Sequence, residues 1–593
     1  MRIHSFLLLS RALSVLEARI QTSGALFELI QWSKINADSK RIVDSVANRD
    51  PEQIQQAFLQ RFAPVDHGVL AKLIAQETSA SDVTDLIERL RAFQTEFFDA
   101  PGSEHETKPL DLSHPWPVFL HDLQPEFQSI SQEVHKLWSL LSRKMKPNFV
   151  PSRSSFLPVP NAFQIPGDRF VEFYYWDTYW VIRGLLRSGL HKVVKDQLDN
   201  FVSLVSEYGK VPNGTRTYYL NRSQPPLLIQ MAESYLDATG DKAYIESILP
   251  LLLQEYDWWM GNRAVVVKGH VVNVYGSDTM QPRPESHVED VTAWANYACS
   301  GQQVEDVGAC VNATITEKVW CVLRGGRSCY NEMFFNNIGS ICESGWDHSS
   351  RWYDLSTFPQ LMVPEIEDMV PVDLNTILAA NERALARFLR DVDPQQAVFF
   401  EQAFAERVLA LETLFWDDNA HHYWDIYSSG RPKRGVQSIA NYYPLYFKTY
   451  SATTDAQTRD EMLAQSLAQT GFLNQPIAAP ATMTDTSREQ WDWPNDWPPL
   501  NHMLIFGLTS SSSDRCRALG NKLALRWVRN VKSTFEETGF MFEKYDVMKP
   551  RTLGSGGEYS TQRGFGWTNG ALQDMLGGLD IFRVKRQIRR VKA

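Results

Sequence analysis

The chain has 593 residues and a net charge of −11, with 43% hydrophobic and 22% charged residues. This composition is typical of a globular protein, and the length is more than one small core requires. The negative charge argues against nucleic acid and anionic membrane surfaces as partners, and no apolar run reaches the roughly eighteen residues of a membrane-spanning helix.

The first hundred residues show the apolar spacing of amphipathic helices, which are predicted at 24–32, 50–62 and 81–93. A polar loop follows at 101–109, so we expect residues 1–105 to form a helical extension that packs on the rest of the chain. The first ten residues resemble the start of a signal peptide. Arg11 ends their apolar run early, and we predict no cleaved leader in the sequence as given.

Residues 115–579 alternate long helices with loops rich in glycine, proline and aromatic residues. Strand alternation is scarce, and residues 265–274 are the best short candidate for it. Helices spaced in this way favour a helical toroid over a sandwich or a doubly wound sheet. The predicted helices are 127–141, 176–188, 227–238, 373–391, 394–413, 457–469 and 514–532.

Five of the six cysteines lie within one window, and Cys516 stands apart. Their spacing contains no C-x-x-C pair, which argues against a zinc ribbon and indicates disulfides formed in an oxidising compartment. The odd number leaves one thiol free or paired with Cys516. The clustered cysteines are Cys299, Cys310, Cys321, Cys329 and Cys342.

Three N-x-S/T sequons occur, at Asn213, Asn221 and Asn312. Asn312 lies inside the cysteine-rich window, where an exported protein would tolerate a glycan. Together with the cysteines, this sequon favours an extracellular location.

Residues 343–352 place Asp347 between Trp346 and Trp352. Indole rings can desolvate a carboxyl, raise its pKa and keep it protonated near neutral pH, as a general acid requires. Tryptophan faces also pack well on the apolar face of a sugar ring. A surface turn with a satisfied aspartate explains these ten residues equally well, so the rest of the chain must decide.

Five further loop regions combine aromatic and charged residues. Arginine and carboxylate side chains can bind vicinal hydroxyls in pairs, while tryptophan and tyrosine cover ring faces. Each loop taken alone could be a capped turn with aromatic packing, but five in one chain favour a sugar site. The chain shows no phosphate loop, H-E-x-x-H pair or G-x-S-x-G elbow, and we expect no metal or cofactor. These regions are residues 166–179, 211–226, 281–286, 490–499 and 542–570.

Residues 166–179 and 490–499 resemble the two signature patterns of the trehalase family, glycoside hydrolase family 37, in an animal-like form. The resemblance extends from about residue 24 to 580. It implies an (α/α)6 barrel over residues 106–593, with a cysteine-rich insertion at 291–342. It also implies that water cleaves α,α-trehalose to two glucose molecules with inversion, without a metal.

The resemblance assigns the general acid to Asp347 and the general base to Glu543. In an inverting pair the two carboxyls should lie roughly 6.5–9.5 Å apart. Asn213 and Asn221 would border the pocket, which leaves Asn312 as the candidate glycan site. The implied essential arginines are Arg169, Arg222 and Arg283, and the implied substrate contacts are Trp176, Asp177, Asn213, Ser223, Gln224, Glu285, Gly345, Trp491 and Glu558.

Three residues depart from the family pattern: Asp168 and Asp496 replace glycines, and His348 replaces phenylalanine. These departures leave a catalytically weak sugar-binding homologue open as one alternative. A glycosidase of the same fold that cleaves another α-glucoside is a second. A purely structural helical scaffold does not explain why the unusual residues lie in loops.

Overall fold

The computed structural model describes residues 20–62, 64–112, 118–300, 306–326, 329–357 and 363–584, so the signal-peptide prediction lies outside it. The strands in these ranges are short: β1 Val46–Ala47, β2 Phe98–Asp99, β3 His105–Thr107, β4 Ser142–Met145, β5 Phe163–Gln164, β6 Ala264–Val267, β7 His270–Asn273, β8 Met369–Val370, β9 Trp416–Asp417, β10 His422–Tyr423, β11 Ile426–Tyr427, β12 Asn495–Asp496 and β13 Tyr545–Asp546. The α-helices are α1 Ala25–Ser33, α2 Lys40–Val43, α3 Pro51–Phe62, α4 His67–Ile74, α5 Ser81–Phe97, α6 Pro125–Leu141, α7 Asp177–Arg187, α8 His191–Tyr208, α9 Leu228–Thr239, α10 Lys242–Asn262, α11 His287–Ser300, α12 Val307–Leu323, α13 Glu332–Glu343, α14 Val372–Leu389, α15 Pro394–Ala410, α16 Tyr443–Phe447, α17 Ala456–Gln469, α18 Pro498–Thr509, α19 Asp514–Thr538 and α20 Gly566–Gly578.

Six helices form a closed inner ring in the order α7, α9, α14, α16, α18 and α20, with α20 packing back on α7. Helices α6, α8, α10, α15, α17 and α19 lie outside this ring. The fold is an (α/α)6 barrel, as the family resemblance of the sequence implied.

Burial distinguishes the two rings. Helix α14 exposes only Arg383 and Arg387, and α20 buries every residue except Gly578. The outer helix α6 instead buries one stripe spaced at three and four residues, which includes Phe127, Ile130 and Val134. Helices that are apolar on all sides belong in a core, and helices with one apolar stripe cover it.

The contact between α7 and α20 is close because two glycines meet there. A Cβ added to Gly184 would lie 2.6 Å from the Cα of Gly570. Any side chain at this point would therefore push the first and last helices of the ring apart.

The N-terminal helices pack on the cysteine-rich segment. Helix α12 contacts α1 and α4, and α11 contacts α1. Disulfides join Cys299 to Cys310 and Cys321 to Cys329. This pairing leaves Cys342 and Cys516 as free, buried thiols.

Every predicted helix is confirmed, and most ends agree to within a few residues. The helix predicted at 514–532 extends to Thr538, and the one predicted at 394–413 ends at Ala410 and continues as the π turn Leu411–Phe415. The strand pattern at 265–274 is confirmed in kind, but it is divided between two strands, because β6 and β7 form an antiparallel hairpin there. Lys268 and Gly269 make its turn with φ of 46° and 87°. A two-residue turn with both φ positive matches the twist of paired strands.

No helix in the described ranges is both long and apolar enough to cross a bilayer. Asn312 is exposed on α12, whereas Asn213 is buried and accepts a hydrogen bond from Arg222.

Candidate active site

A cavity of about 650 Å³ opens at the end of the barrel where the inner helices begin. The loops that lead into these helices supply its walls: Trp176 precedes α7, Trp497 precedes α18, and Phe565 precedes α20. The side chains that line it are Arg169, Phe170, Tyr174, Trp176, Asp177, Asn213, Tyr219, Arg222, Gln224, Arg283, Glu285, Ser286, Gly345, Asp347, Gln490, Trp491, Trp497, Glu543, Glu558, Tyr559, Phe565 and Trp567.

The loop that carries Asp347 follows directly on α13 and is fixed on both sides. Gly345 has a φ of 75°, and a Cβ there would lie 2.8 Å from the ring of Trp176. Only glycine combines this conformation with this contact. On the other side, Ser349 and Ser350 donate hydrogen bonds to Asp492.

Arg351 anchors the same loop to the inner ring. Its guanidinium forms bidentate ion pairs with Asp373 and Asp425, and all three side chains are buried. Two forked pairs on one guanidinium give high directional specificity. The backbone around Asp347 is therefore held without any contact to the carboxyl itself.

The carboxyl of Asp347 faces the cavity, and no described residue donates a hydrogen bond to it. Burial raises its pKa, while the charges of Arg283, His348 and Arg222 oppose this; the result is a pKa of about 6. The nearby carboxylate of Glu558 adds to the rise. Asp347 can thus keep a proton in weakly acidic solution.

Glu543 lies between Phe542 and β13 and is buried. It accepts a hydrogen bond of 2.8 Å from the hydroxyl of Tyr559 and one of 3.3 Å from the backbone N–H of Gln562. Burial raises its pKa, although Lys544 and these hydrogen bonds act in the opposite direction. This carboxyl is held in place and also faces the cavity.

Asp177 is the third acidic group there. It is the first residue of α7, and burial raises its pKa to about 8, with further increases from Glu543 and Asp347. None of Asp177, Asp347 and Glu543 forms an ion pair with any residue in the described ranges. Three carboxyls without a cationic partner among the described residues therefore share one cavity.

Each cavity arginine is held by a carboxylate. Arg222 donates to Glu285 at 2.6 Å and to Asn213 at 2.9 Å. Arg169 forms a bidentate pair with Asp38 of the N-terminal region, at 2.6 and 2.7 Å. Fixed guanidinium groups of this kind suit a small ligand rich in hydroxyls.

Arg283 pairs with two carboxylates at once. Its Nη2 lies 2.6 Å from Asp290 and 2.7 Å from Glu558, and its Nη1 lies 3.0 Å from the thiol of Cys342. Glu558 faces the cavity, so Arg283 orients an acceptor for the ligand.

Stacked tryptophans form one wall. Trp491 and Trp497 are parallel, with ring centroids 3.7 Å apart, and Trp346 stacks on Trp491 at 5.4 Å. Trp176 and Trp567 add edge contacts. Such a wall covers the apolar face of a sugar ring and excludes water.

The structure brings all the predicted site residues to this cavity except Ser223. The hydroxyl of Ser223 donates to the carbonyl of Val211, and its backbone N–H donates to Glu343. The sequence interpretation missed further lining residues, all of them in loops that it had singled out. Nothing in the sequence of such a loop shows which of its side chains face the cavity. The lining residues that were missed are Phe170, Tyr174, Tyr219, Ser286, Gln490, Trp497, Tyr559, Phe565 and Trp567.

The three departures have different surroundings. Asp168 has a φ of 43°, in the region that glycine adopts freely and aspartate adopts at modest cost. Asp496 is not at a positive φ; it is fully buried in β12 and accepts hydrogen bonds from Asn501 and Trp527. His348 has a φ of 59° and contacts Glu558.

The described residues contain no group of three or more His, Cys, Asp or Glu side chains placed to hold a metal ion.

Comparisons with known proteins agree with this geometry. The sequence model of the trehalase family matches residues 34–580. The chain is 34% identical to the trehalase of Oryctolagus cuniculus over 94% of its own length and 90% of that protein. It is 32% identical to the trehalase of Tenebrio molitor over 94% of each chain. Neutral trehalase of Saccharomyces cerevisiae has the same fold, with a TM-score of 0.56 and 23% identity over 70% of this chain and 73% of that one.

Proposed function

The chain belongs to the trehalase family and is a glycosidase that hydrolyses trehalose to glucose, and we propose that Asp347 is its general acid and Glu543 its general base. The observation that supports this pairing is that both carboxyls face one aromatic cavity, have pKa values raised by desolvation and lack ion-pair partners among the described residues.

In the proposed reaction, protonated Asp347 gives its proton to the glycosidic oxygen as the bond to the anomeric carbon breaks. Glu543 accepts a proton from a water molecule that attacks this carbon from the opposite face. The attacked glucose inverts its configuration, and the leaving glucose keeps its own. One β-glucose and one α-glucose therefore form in each turnover of α,α-trehalose.

The arginines and the remaining acidic residues would position the disaccharide. Arg222 with Glu285, and Arg283 with Glu558, offer paired donors and acceptors to vicinal hydroxyls. Asp177, whose pKa of about 8 keeps it protonated at neutral pH, would donate a hydrogen bond to a sugar oxygen. Trp176 and Trp491 would cover the ring faces.

The initial anomer ratio tests this mechanism. NMR spectra recorded before mutarotation should show equal amounts of α- and β-glucose released from trehalose. Two α-glucose molecules per turnover would indicate a retaining enzyme and contradict the base role of Glu543.

Replacement of the acid gives a second test. Asp347→Ala should bind trehalose with near-normal affinity and release glucose about 10²–10⁴-fold more slowly. A wild-type protein that binds trehalose without releasing glucose would instead be a sugar-binding homologue.

We also propose that residues 1–105 form an extension of the catalytic barrel at 106–593, with 291–342 as an insertion. The contact of Asp38 with Arg169 and the buried ion pair of Lys40 with Glu172 support this division, because they join the extension to the cavity loops. Deletion of residues 1–105 should therefore abolish activity.

A further inference from the structure

His348 follows the proposed general acid and occupies the position where the family pattern has phenylalanine. Its ring is buried, and both ring nitrogens have partners. Nδ1 lies 2.7 Å from the hydroxyl of Tyr353, and Nε2 lies 3.1 Å from Oε1 of Glu558. A phenylalanine could make neither contact.

The ring is placed behind Glu558, away from the cavity surface. The same Oε1 of Glu558 accepts from Arg283 at 2.7 Å, and Oε2 accepts from the hydroxyl of Ser286 at 2.8 Å. Glu558 lines the cavity and His348 does not. His348 thus acts on a ligand only through its neighbours.

The imidazole of His348 is charged at neutral pH. Burial opposes the charge, but the carboxylate of Glu558 outweighs it and raises the pKa of His348 to about 9. Arg283 lowers this pKa and Glu489 raises it. For Glu558, burial is likewise overcome by Arg283 and His348, which hold its pKa well below the usual range.

The same charge acts on Asp347, its neighbour in the chain. Burial raises the pKa of Asp347, Arg283 opposes this most strongly, and His348 comes next, ahead of Arg222. Asp177 and Glu543 face Asp347 across the cavity as further acidic groups. His348 therefore supplies a positive charge that a phenylalanine at this position would lack.

We propose that His348 is a positioning residue of this hydrolase: its imidazolium ring clamps Glu558 against Arg283 and places a positive charge beside the carboxyl of Asp347. This inference rests on the proposed role of Asp347 as general acid. The proposal predicts that the positive charge of His348 lowers the pH above which the enzyme loses activity. It also predicts that the contact of His348 with Glu558 strengthens substrate binding.

Two replacements separate the charge from the clamp. His348→Gln removes the charge and keeps a hydrogen-bond donor for Glu558, whereas His348→Phe removes both. An acid must be protonated to act, so loss of the nearby cation should move the alkaline limb of the kcat/KM profile up by about one pH unit in both variants. KM should rise about tenfold in His348→Phe and much less in His348→Gln.

His422→Phe is the matched control, because His422 is a buried histidine that bonds to Ser466 and does not line the cavity. Its profile should keep the wild-type alkaline limb. A purely structural role for His348 would lower the melting temperature of its variants and leave both the alkaline limb and KM unchanged, and that result would overturn the proposal.

A direct measurement does not depend on activity. In protein labelled with ¹⁵N-histidine, the signal absent from His348→Gln should stay in the doubly protonated form up to a pH of about 9 in the wild type. A neutral ring at pH 7 would reject the proposal. A wild-type protein that releases no glucose would instead reject the proposed function, whatever the ring titration shows.

Discussion

Buried carboxyls at the two ends of helix α7 have pKa values shifted in opposite directions. At its first residue, burial raises the pKa of Asp177 to about 8. In its last turns, Arg183 and Arg187 bind Asp574 at 2.8 and 2.7 Å, and His502 adds a third contact at 2.9 Å. Burial also acts on Asp574, but Arg183 and His502 outweigh it and its pKa lies far below the usual range.

Asp177 and Asp574 are both buried, so the difference between their pKa values comes from their partners. Asp177 and Asp347, which have no bound cation, can gain and lose a proton near neutral pH, while the paired carboxylate at the other end of α7 cannot. Buried carboxylates that are paired with cations stabilise the fold, and buried carboxyls without such partners are available for chemistry. Asp496 shows the limit of this rule, because burial raises its pKa well above the usual value although it does not line the cavity.

The largest expected effect is on Glu543. Glu543→Gln keeps the size of the side chain and removes the base, so turnover of trehalose should fall by about 10²–10⁴-fold without loss of folding. Glu255→Gln is the matched control: burial also raises the pKa of this carboxyl, here to about 8, but its partner is Tyr175 and it lies outside the cavity. Equal losses in the two variants would show that burial alone, and not position, decides the effect.

The paired cluster should respond in stability instead. Asp574→Asn leaves Arg183 and Arg187 without their carboxylate, and the free energy of unfolding should fall by about 3–5 kcal/mol. Denaturant titration measures the loss, and turnover per folded molecule should stay near the wild-type value. Glu96→Gln breaks the exposed pair with Arg61 and should leave the denaturation midpoint unchanged. Full stability of Asp574→Asn would contradict the structural role.

Asp38 is an intermediate case, a paired carboxylate that serves the cavity. Burial would raise its pKa, but hydrogen bonds and charge from Arg169 lower it. Asp38→Asn keeps one acceptor of the bidentate pair, and kcat/KM for trehalose should fall about tenfold. Asp66→Asn, which alters a helix cap in the same N-terminal region, should not change kcat/KM. Unchanged kinetics in Asp38→Asn would show that Arg169 needs no partner.

This pair also shows how far the sequence could lead. Apolar spacing located the helices, and the aromatic and charged loops located the cavity, because both signals are local. Asp38 and Arg169 are 131 residues apart, and nothing local predicts that they meet.

The sequence also could not predict how side chains are oriented within a loop. Ser223 was expected at the substrate but bonds to Val211, while Tyr559, in a loop already singled out, bonds to Glu543. The disulfide pairing was open for the same reason, since only the fold determines which of the clustered cysteines come together.

The remaining prediction concerns the pH dependence of stability at Asp496, whose only described side-chain partners are Asn501 and Trp527. Burial raises the pKa of Asp496 in the folded protein well above the ordinary aspartate value of 3.8. Above pH 3.8 the unfolded chain therefore releases this proton while the folded chain keeps it. Rising pH then favours unfolding by up to about 1.4 kcal/mol per pH unit, until the pKa of the folded state is reached.

Asp496→Asn has no such proton, so its stability relative to the wild type should improve as the pH rises. Denaturant unfolding of both proteins at pH 4.5 and pH 7 measures the change, and the variant should gain on the wild type between the two. Parallel stabilities would mean that Asp496 ionises equally in both states. Asp496 would then carry a charge although no described cation lies beside it. The rule that partners determine whether a buried carboxyl is ionised would fail here.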